Sequence, residues 1–362
     1  MPKKEDLKQK IVQNNIKTIT VKEKDILVNL SFSDVIELDS LVYLEYTNES
    51  LIGEIGKVIV SDDRIYLHDR MTARILCFER SGSFINAFGK IGKGPDEYIN
   101  LRGFSLFNNK VYALVKPARL LVLDNNLNLN ESIEIKHSDA GPLEITNMEI
   151  INSEMVIFSV LDAPHKFFFF NIKEQEFISH HSPALGPGMP FSGSPFTKSS
   201  SNQIFVAEIY NDTVFRISGD ELQPAYFVDF DIPISERERL EQINIHRLDI
   251  FNDKRNTVTN MYNINSFQEF HQHLMFFFIY NRRPHFYYKN KIDSKVIIFP
   301  NNISNDLFDA NFIKVPVGFH GNSTIAVVQP NELILNNKYS VPDNHCVVES
   351  NPVLVFYHPK FK

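Results

Sequence analysis

One unit recurs along this chain: an apolar strand-like run, a tight turn, a second apolar run and a polar hairpin. It reads DRIYLHDRMTARILCFERSGSFINAF, then NKVYALVKPARLLVLDNNLNL, then SEMVIFSVLDAPHKFFFFNIKEQEFI and NQIFVAEIYNDTVFRISGDEL. A fifth copy is QHLMFFFIYNRRPHFYYKNKIDSKVIIF, and a sixth is split between STIAVVQP and NPVLVFYHPK. Anchored at Ile65, Val111, Val156, Ile204, Met275 and Ile325, the copies stand 46, 45, 48, 71 and 50 residues apart. A period of roughly 40–50 residues with several strands per copy marks a propeller blade, whereas solenoid coils use shorter repeats. The expected fold is all-β, a six-bladed β-propeller of four-stranded blades.

The last copy ends in PVLVFYHP with no chain left for a fourth strand, while SDVIELDSLVYLEYT precedes the first complete copy as a surplus strand. Val35–Tyr46 is therefore expected to be the outer strand of the last blade. Such closure would remove an open sheet edge. The chain then divides into an N-terminal extension over 1–30 and a single propeller over 31–362. The long fourth step reflects an insertion over 233–260, where Leu240, Ile243, Ile245 and Leu248 predict a short amphipathic helix. A second insertion spans 331–350. Loops this long inside a compact domain are usually functional or disordered.

With 362 residues and 43% hydrophobic content, the chain has ample apolar material for a core. Its net charge of −7 argues against nucleic acid as a partner. Cys77 and Cys346 permit one disulfide at most, with two free thiols the favoured reading, and they make neither a disulfide scaffold nor a paired-thiolate zinc site. The start, MPKKEDLKQKIVQNN, is basic but is followed by no apolar core, so no signal peptide is expected. The apolar runs KFFFFNI and HLMFFFIY fall far short of the roughly 20 residues that span a bilayer. At alternating strand positions their aromatics are expected in the core.

In FINAFGKIGKGPDEY, Gly89 and Gly94 have the spacing of a phosphate-binding loop. That motif needs Lys and then Ser or Thr after its last glycine, and a helix beyond. Here Pro95 and Asp96 follow, with a strand-like run after them. The glycines are better read as turn residues between blades.

The same region carries a resemblance. IYLHDRMTARILCFERSGSFINAFGKIGKGPDEYINLRGFSL resembles an NHL-type propeller repeat, with Asp69 ending a strand, the ILCF strand, Gly82 at a hairpin and a G-K-x-G-x-G-P-x-E-Y joint. LIGEIGKVIV, EIYNDTVFRI and NPVLVFYHPK resemble more narrowly a six-bladed propeller family abundant in Bacteroidetes, mostly exported lipoproteins of unassigned function. The resemblance covers Leu41 to the end. It implies a periplasmic or cell-surface location, from which this chain departs in lacking an export signal.

In such a fold the turn between second and third strands lies on the same side as the joint between blades. Six segments fall there: Asp69–Arg74, Lys90–Glu97, Val115–Arg119, Asp162–Lys166, Tyr210–Thr213 and Tyr280–His285, together with both insertions. The six short segments alone hold nine basic and five acidic side chains in an acidic protein, and His165 and His285 would add charge on acidification. Arginine captures carboxylate, sulfate or phosphate in a bidentate fashion. The candidate ligand-binding residues are Arg70, Arg74, Lys93, Arg119, Arg282 and Arg283, for a partner protein or an anionic polymer such as an acidic glycan.

No catalytic residue is assigned. FSGSP does not match a nucleophile elbow, and His271 with His273 supplies two ligands where a metal site needs more. The reading is a non-catalytic binding module without a cofactor. The alternative is a metal-assisted hydrolase or lyase at the central channel, with calcium as its ion. Asn211 and Asp212 are its nearest ligand pair, although EIYNDTVFRI reads as a blade turn.

Overall fold

The computed structural model describes residues 16–94, 97–136, 143–161, 163, 165–183, 194–208, 210–235, 259–307, 315–329, 332 and 350–361. The helix expected within 233–260, nearly all of both insertions, Asp96, Asp162 and Cys346 lie outside these residues.

The described chain is almost entirely strand. First come β1 (Lys17–Val21), a 3₁₀ turn (Glu23–Asp25), the one-turn helix α1 (Phe32–Val35) and β2 (Ile36–Tyr43). The first blade is β3 (Ile55–Val60), β4 (Arg64–Asp69), β5 (Arg74–Glu79) and β6 (Phe84–Phe88). The second is β7 (Asn100–Phe107), β8 (Lys110–Lys116), β9 (Arg119–Leu123) and β10 (Leu129–Glu134). The third is β11 (Glu144–Asn152), β12 (Met155–Leu161), β13 (His165–Asn171) and β14 (Glu176–Pro183). The fourth is β15 (Phe196–Lys198), β16 (Ile204–Ala207), β17 (Thr213–Ser218) and β18 (Glu221–Phe230). The fifth is β19 (Tyr262–Glu269), β20 (His273–Tyr280), β21 (Arg283–Asn290) and β22 (Val296–Pro300). The last holds β23 (Gly318–His320), β24 (Ser323–Val328) and β25 (Val353–Pro359). Each blade is a sheet in chain order, and β2 joins the last as its fourth strand. The fold class is that of the six-bladed β-propeller.

The periodicity has a plain cause. Second and third strands such as β4, β8, β13 and β20 are buried almost throughout, so both faces must be apolar and the sequence runs KVYALVK or HKFFFFN without alternation. Fourth strands such as β6 and β10 are partly exposed and read as the polar hairpin of each copy.

The chain forms two compact units. The larger comprises Asn29–Val160, Phe167–Ile178 and Asn302–Lys362. Its interior includes Ile65, Leu67, Leu76 and Phe78 against Ile325 and Leu354, and a second cluster around Tyr98, Phe104 and Leu121. Phe167–Phe170, whose four rings are buried, belong to the core as expected. The strand expected near residue 40 is β2, which pairs antiparallel with β25 from Ile36↔Pro359 to Tyr43↔Val353. Asp39 on β2 fastens the pair: Ser323 Oγ donates to it at 2.6 Å, and His358 Nδ1 lies 2.6 Å away. Beyond the end of β2, Gly82 (φ +97°) turns the β5–β6 hairpin against the chain, and its carbonyl accepts the Glu45 N–H at 2.9 Å. A Cβ there would stand 2.0 Å from the Tyr43 carbonyl oxygen, so only glycine fits.

The smaller unit comprises Met1–Val28, Leu161–Lys166 and Ser179–Asn301. Its core gathers Phe205, Val228, Phe267, Phe276 and Tyr287. Phe276 and Tyr287 stack at 4.5 Å between centroids. Residues 16–28, within the expected N-terminal extension, are folded here. β1 lies parallel to β18 from Lys17↔Tyr226 to Val21↔Phe230, burying Ile19 and Val21. The Glu23 N–H then donates to the Asp231 carboxylate at 3.0 and 3.2 Å, and the Leu27 N–H to the Ile298 carbonyl at 2.8 Å.

Candidate functional site

The sequence candidates lie on joints between blades and on turns, so what holds those segments decides what they can do. In the larger unit the key is Asp69, the acid that ends β4. Its buried carboxylate accepts the N–H groups of Gly53 (3.1 Å), Glu54 (3.0 Å) and Met71 (3.1 Å) and the Thr72 hydroxyl (2.6 Å). One side chain thereby ties the joint entering β3 to the β4–β5 turn. Burial opposes its ionisation, but the Thr72 hydroxyl and the Glu54, Gly53 and Met71 N–H groups prevail and hold its pKa below the ordinary value.

Asn351 grips the same joint from β25's side. Its Oδ1 accepts the Ile52 N–H at 3.0 Å, and its Nδ2 donates to the carbonyls of Glu45 (2.7 Å) and Ser50 (2.8 Å). Arg74 completes the frame: Nη1 donates to the Glu49 carbonyl (3.1 Å), Nη2 to that of Leu51 (2.8 Å) and Nε to Thr72 Oγ1 (3.1 Å).

Among its described residues, the glycine-rich joint supplies its own anion, Glu97. Gly94 N–H donates to Glu97 Oε2 at 2.8 Å, and Lys90 Nζ pairs with Glu97 Oε1 at 2.9 Å. Lys90 and the Gly94 N–H hold the Glu97 carboxyl below its ordinary pKa. A Cβ on Gly92 would sit 2.0 Å from Glu97 Oε2, so a larger residue there would displace this carboxylate. Strand β7 follows, as expected, in place of a helix. Tyr98, fully buried, donates its hydroxyl to the Ala73 carbonyl at 2.6 Å and so links this joint to the β4–β5 turn.

The six basic candidates therefore have different tasks. Arg74 is committed to the joint carbonyls, and Arg119 Nη2 donates to the Glu97 carbonyl. Arg70 is exposed and meets Glu54 only at 3.5 Å. Lys93 is exposed and makes no ion pair with a described residue. These four stand on linked segments of the larger unit. Arg282 and Arg283 belong to the smaller unit, exposed at the β20–β21 turn where Asn281 (φ 49°) and Arg282 (φ 63°) are both left-handed.

The histidines of these turns resist charging. Burial, then the nearby His180 and His181, lowers the pKa of His165, and burial lowers that of His285. His68, between Arg70 and Lys57, is pushed down to about 4, chiefly by burial. His271 sits in the β19–β20 turn while His273 is buried on β20. Asn211 accepts the Thr213 N–H at 3.0 Å within its blade turn. Cys77 is buried, its thiol pushed up to about 12 by desolvation.

Sequence reasoning missed a polar cluster on the first strands of three successive blades. Lys57 Nζ on β3 donates to the Phe104 carbonyl (2.9 Å) and to Glu149 Oε2 (3.3 Å), while the buried Ser105 hydroxyl on β7 donates to the other oxygen of Glu149 on β11. Nearby, Arg102 and Lys116 both pair with Glu144, the latter at 3.0 Å. The available signal was a lone charge inside an apolar strand, in IGKVIV and NMEII. Each carboxylate here has a cationic partner. Among the described residues, no group of three His, Cys, Asp or Glu side chains is arranged to hold a metal ion. Nor is any described helix long and apolar enough to cross a membrane.

Comparison with solved structures supports the fold. A Bacteroides fragilis protein, provisionally described as exported, matches with a TM-score of 0.75 at 17% identity, over 95% of this chain and 100% of that one. A Bacteroides vulgatus member of the DUF4221 family matches with a TM-score of 0.55 at 11% identity, over 90% of this chain and 99% of that one. At such identities the likeness speaks for architecture alone. No functionally curated protein matches the chain. The family described as "Domain of unknown function (DUF4934)" matches residues 16–358, which take in β1 and all but the last residue of β25. The chain belongs to this DUF4934 family.

Proposed function

We propose that this protein is a non-catalytic binding module that holds an acidic macromolecule, a protein segment or an acidic glycan, on its blade turns and joints. The carrying observation is a division of labour. Asp69, Asn351, Arg74, Glu97 and Arg119 use their polar groups to fix loop backbone, while Arg70 and Lys93 stay exposed on that frame; Arg282 and Arg283 are exposed on a turn of the smaller unit. Rigid loops carrying exposed cations are the form a recognition surface takes on a β scaffold. Of the six residues named from sequence, four are thus contact groups, and Arg74 and Arg119 position the loops. A place in the periplasm or at the cell surface is supported by the description of the Bacteroides fragilis neighbour as exported. The NHL-like repeat reading is supported by Asp69 and Gly82, which occupy their motif positions for visible steric and hydrogen-bonding reasons. The rival hydrolase or lyase draws less support, because Glu149, the buried acid of the first strands, is matched to Lys57.

The test is chromatography on immobilised polygalacturonate and immobilised poly-L-glutamate at physiological salt. Retention is expected on at least one matrix, and the two matrices separate glycan from protein as the source. Arg282→Glu combined with Arg283→Glu should elute near the void volume with an unchanged melting curve. A wild type that ignores both matrices, or a variant that is still retained, overturns the proposal. Calcium-dependent turnover of ester, lactone or uronide substrates would establish the enzyme instead.

A further inference from the structure

One strand glycine of this chain has no local reason to be glycine. Among the described residues, every other glycine is either left-handed or would bring a Cβ within 3.1 Å of a neighbour. Gly103, inside β7, is not left-handed, and a Cβ there would find open space, with no atom beyond its chain neighbours within 4 Å. Glycine within a strand forgoes side-chain packing and marks a bulge or a place where a ligand or another backbone comes close. A bulge does lie between Leu101 and Gly103, but without a left-handed residue it makes no demand for glycine.

Two polar clusters bound this space, and both bridge the same two strands of the larger unit. Gly103 and Ser105 point to one side of β7, where Ser105 donates to Glu149 on β11, so the open position also faces β11. Below it, Ser105 and Lys57 hold the two oxygens of Glu149. Above it, Arg102 and Lys116 hold the two oxygens of Glu144, which begins β11.

The charges of this region do not cancel. β3, β7 and β11 carry Lys57, Arg102, Glu144 and Glu149, and Lys116 ends β8. Neither β8 nor β12, the neighbours of β7 and β11 within their sheets, carries an acid. Three cations thus stand against two carboxylates. Lys57 matches Glu149, so the surplus falls on Glu144, which a guanidinium and an ammonium share. Solvent reaches both cations, the Arg102 side chain being 28% exposed and that of Lys116 48%.

We infer that the space over Gly103 is a binding site for a small hydroxylated monocarboxylate, with its carboxylate on Arg102 and Lys116. The single surplus charge matches a monoanion, and a guanidinium beside a second cation is the chemistry that captures a carboxylate. Glu144, partly exposed, is the acceptor for a ligand hydroxyl. Room left by an omitted side chain between two ion-paired clusters admits a small molecule and excludes a polymer. The site uses none of Arg70, Lys93, Arg282 and Arg283, so it goes beyond the binding-module reading and stands or falls without it.

The probes are L-lactate, D-gluconate and D-galacturonate, with D-galactose as the uncharged control, titrated into the full chain and read by saturation-transfer NMR and calorimetry. At least one acid should bind at least tenfold more tightly than galactose. Gly103→Val should weaken that binding at least tenfold by filling the space, and should leave retention on polygalacturonate or poly-L-glutamate unchanged. Arg102→Gln, at a partly exposed side chain, should weaken it equally and keeps the test decisive if Gly103→Val does not fold. Gly103→Ala should melt no lower than the wild type, because its Cβ enters open space. Failure of all three acids to bind, equal binding of galactose, wild-type affinity in either binding variant, or a lower melting midpoint in Gly103→Ala overturns the site. If the polymers are retained while the acids fail, only this site falls; if the acids bind while the polymers pass through, only the binding-module reading falls.

Discussion

Asp69→Ala is expected to lower the unfolding free energy by about 3 kcal/mol, since hydrogen bonds to a charged group contribute about 1.5–3 kcal/mol each and are not additive. The carboxylate accepts four such bonds, and three of its donors are N–H groups of exposed residues that water can partly reclaim. At about 2.1 cal/mol/K of unfolding entropy per residue, a chain of 362 residues should lose roughly 4 °C in its melting midpoint. The pH dependence has a definite sign. The folded-state pKa of Asp69 is lowered, so its contribution is complete above the unfolded value of about 3.9 and is lost as pH falls through the lower folded value. Urea unfolding of the wild type and of Asp69→Asn should differ most at neutral pH and converge below about pH 4. A gap that stays constant with pH would remove the carboxylate from the account.

Lys57→Met is the second large effect. It leaves the Glu149 carboxylate, whose side chain is only 6% exposed, with the Ser105 hydroxyl and no cation. An uncompensated buried charge costs about 3–5 kcal/mol, whereas replacing both partners of a buried pair is close to neutral. Lys57→Met with Glu149→Leu should therefore be more stable than Lys57→Met alone. Glu149→Gln should be milder than Lys57→Met, because its amide oxygen still accepts from Ser105 and Lys57 keeps the Phe104 carbonyl. A double-mutant cycle in denaturant reads this coupling directly. Additive single effects would mean that Lys57 and Glu149 act independently.

Much of the fold was legible because blade packing writes itself into composition. Strands buried on both faces demand unbroken apolar runs, so KFFFFNI and HLMFFFIY announced core strands, and their spacing announced six sheets. The pairing of the strand near residue 40 with β25 followed from a strand surplus at one end and a deficit at the other. The candidate site was less legible, because charge can be counted in a sequence while its partner cannot. Arg74 and Arg119 looked like ligand groups until their donors were found on carbonyls 22 to 25 residues away. Asn351 reaches across 299 residues to the Ile52 N–H, and Lys57 meets Glu149 across 92. No local pattern records such distances. Asp69 shows the middle case: its place in the repeat was readable, but not its role in tying two loops.

The direction of β1 also decides how this protein bears a load. Its five residue pairs with β18 run parallel, with hydrogen bonds across the strand axis. Tension applied ahead of Lys17 and along that axis strains all of these bonds together, in shear, and cannot open them one by one as peeling would. The β1–β18 pairing thus resists a lengthwise pull on Lys17 most firmly and a sideways one least firmly.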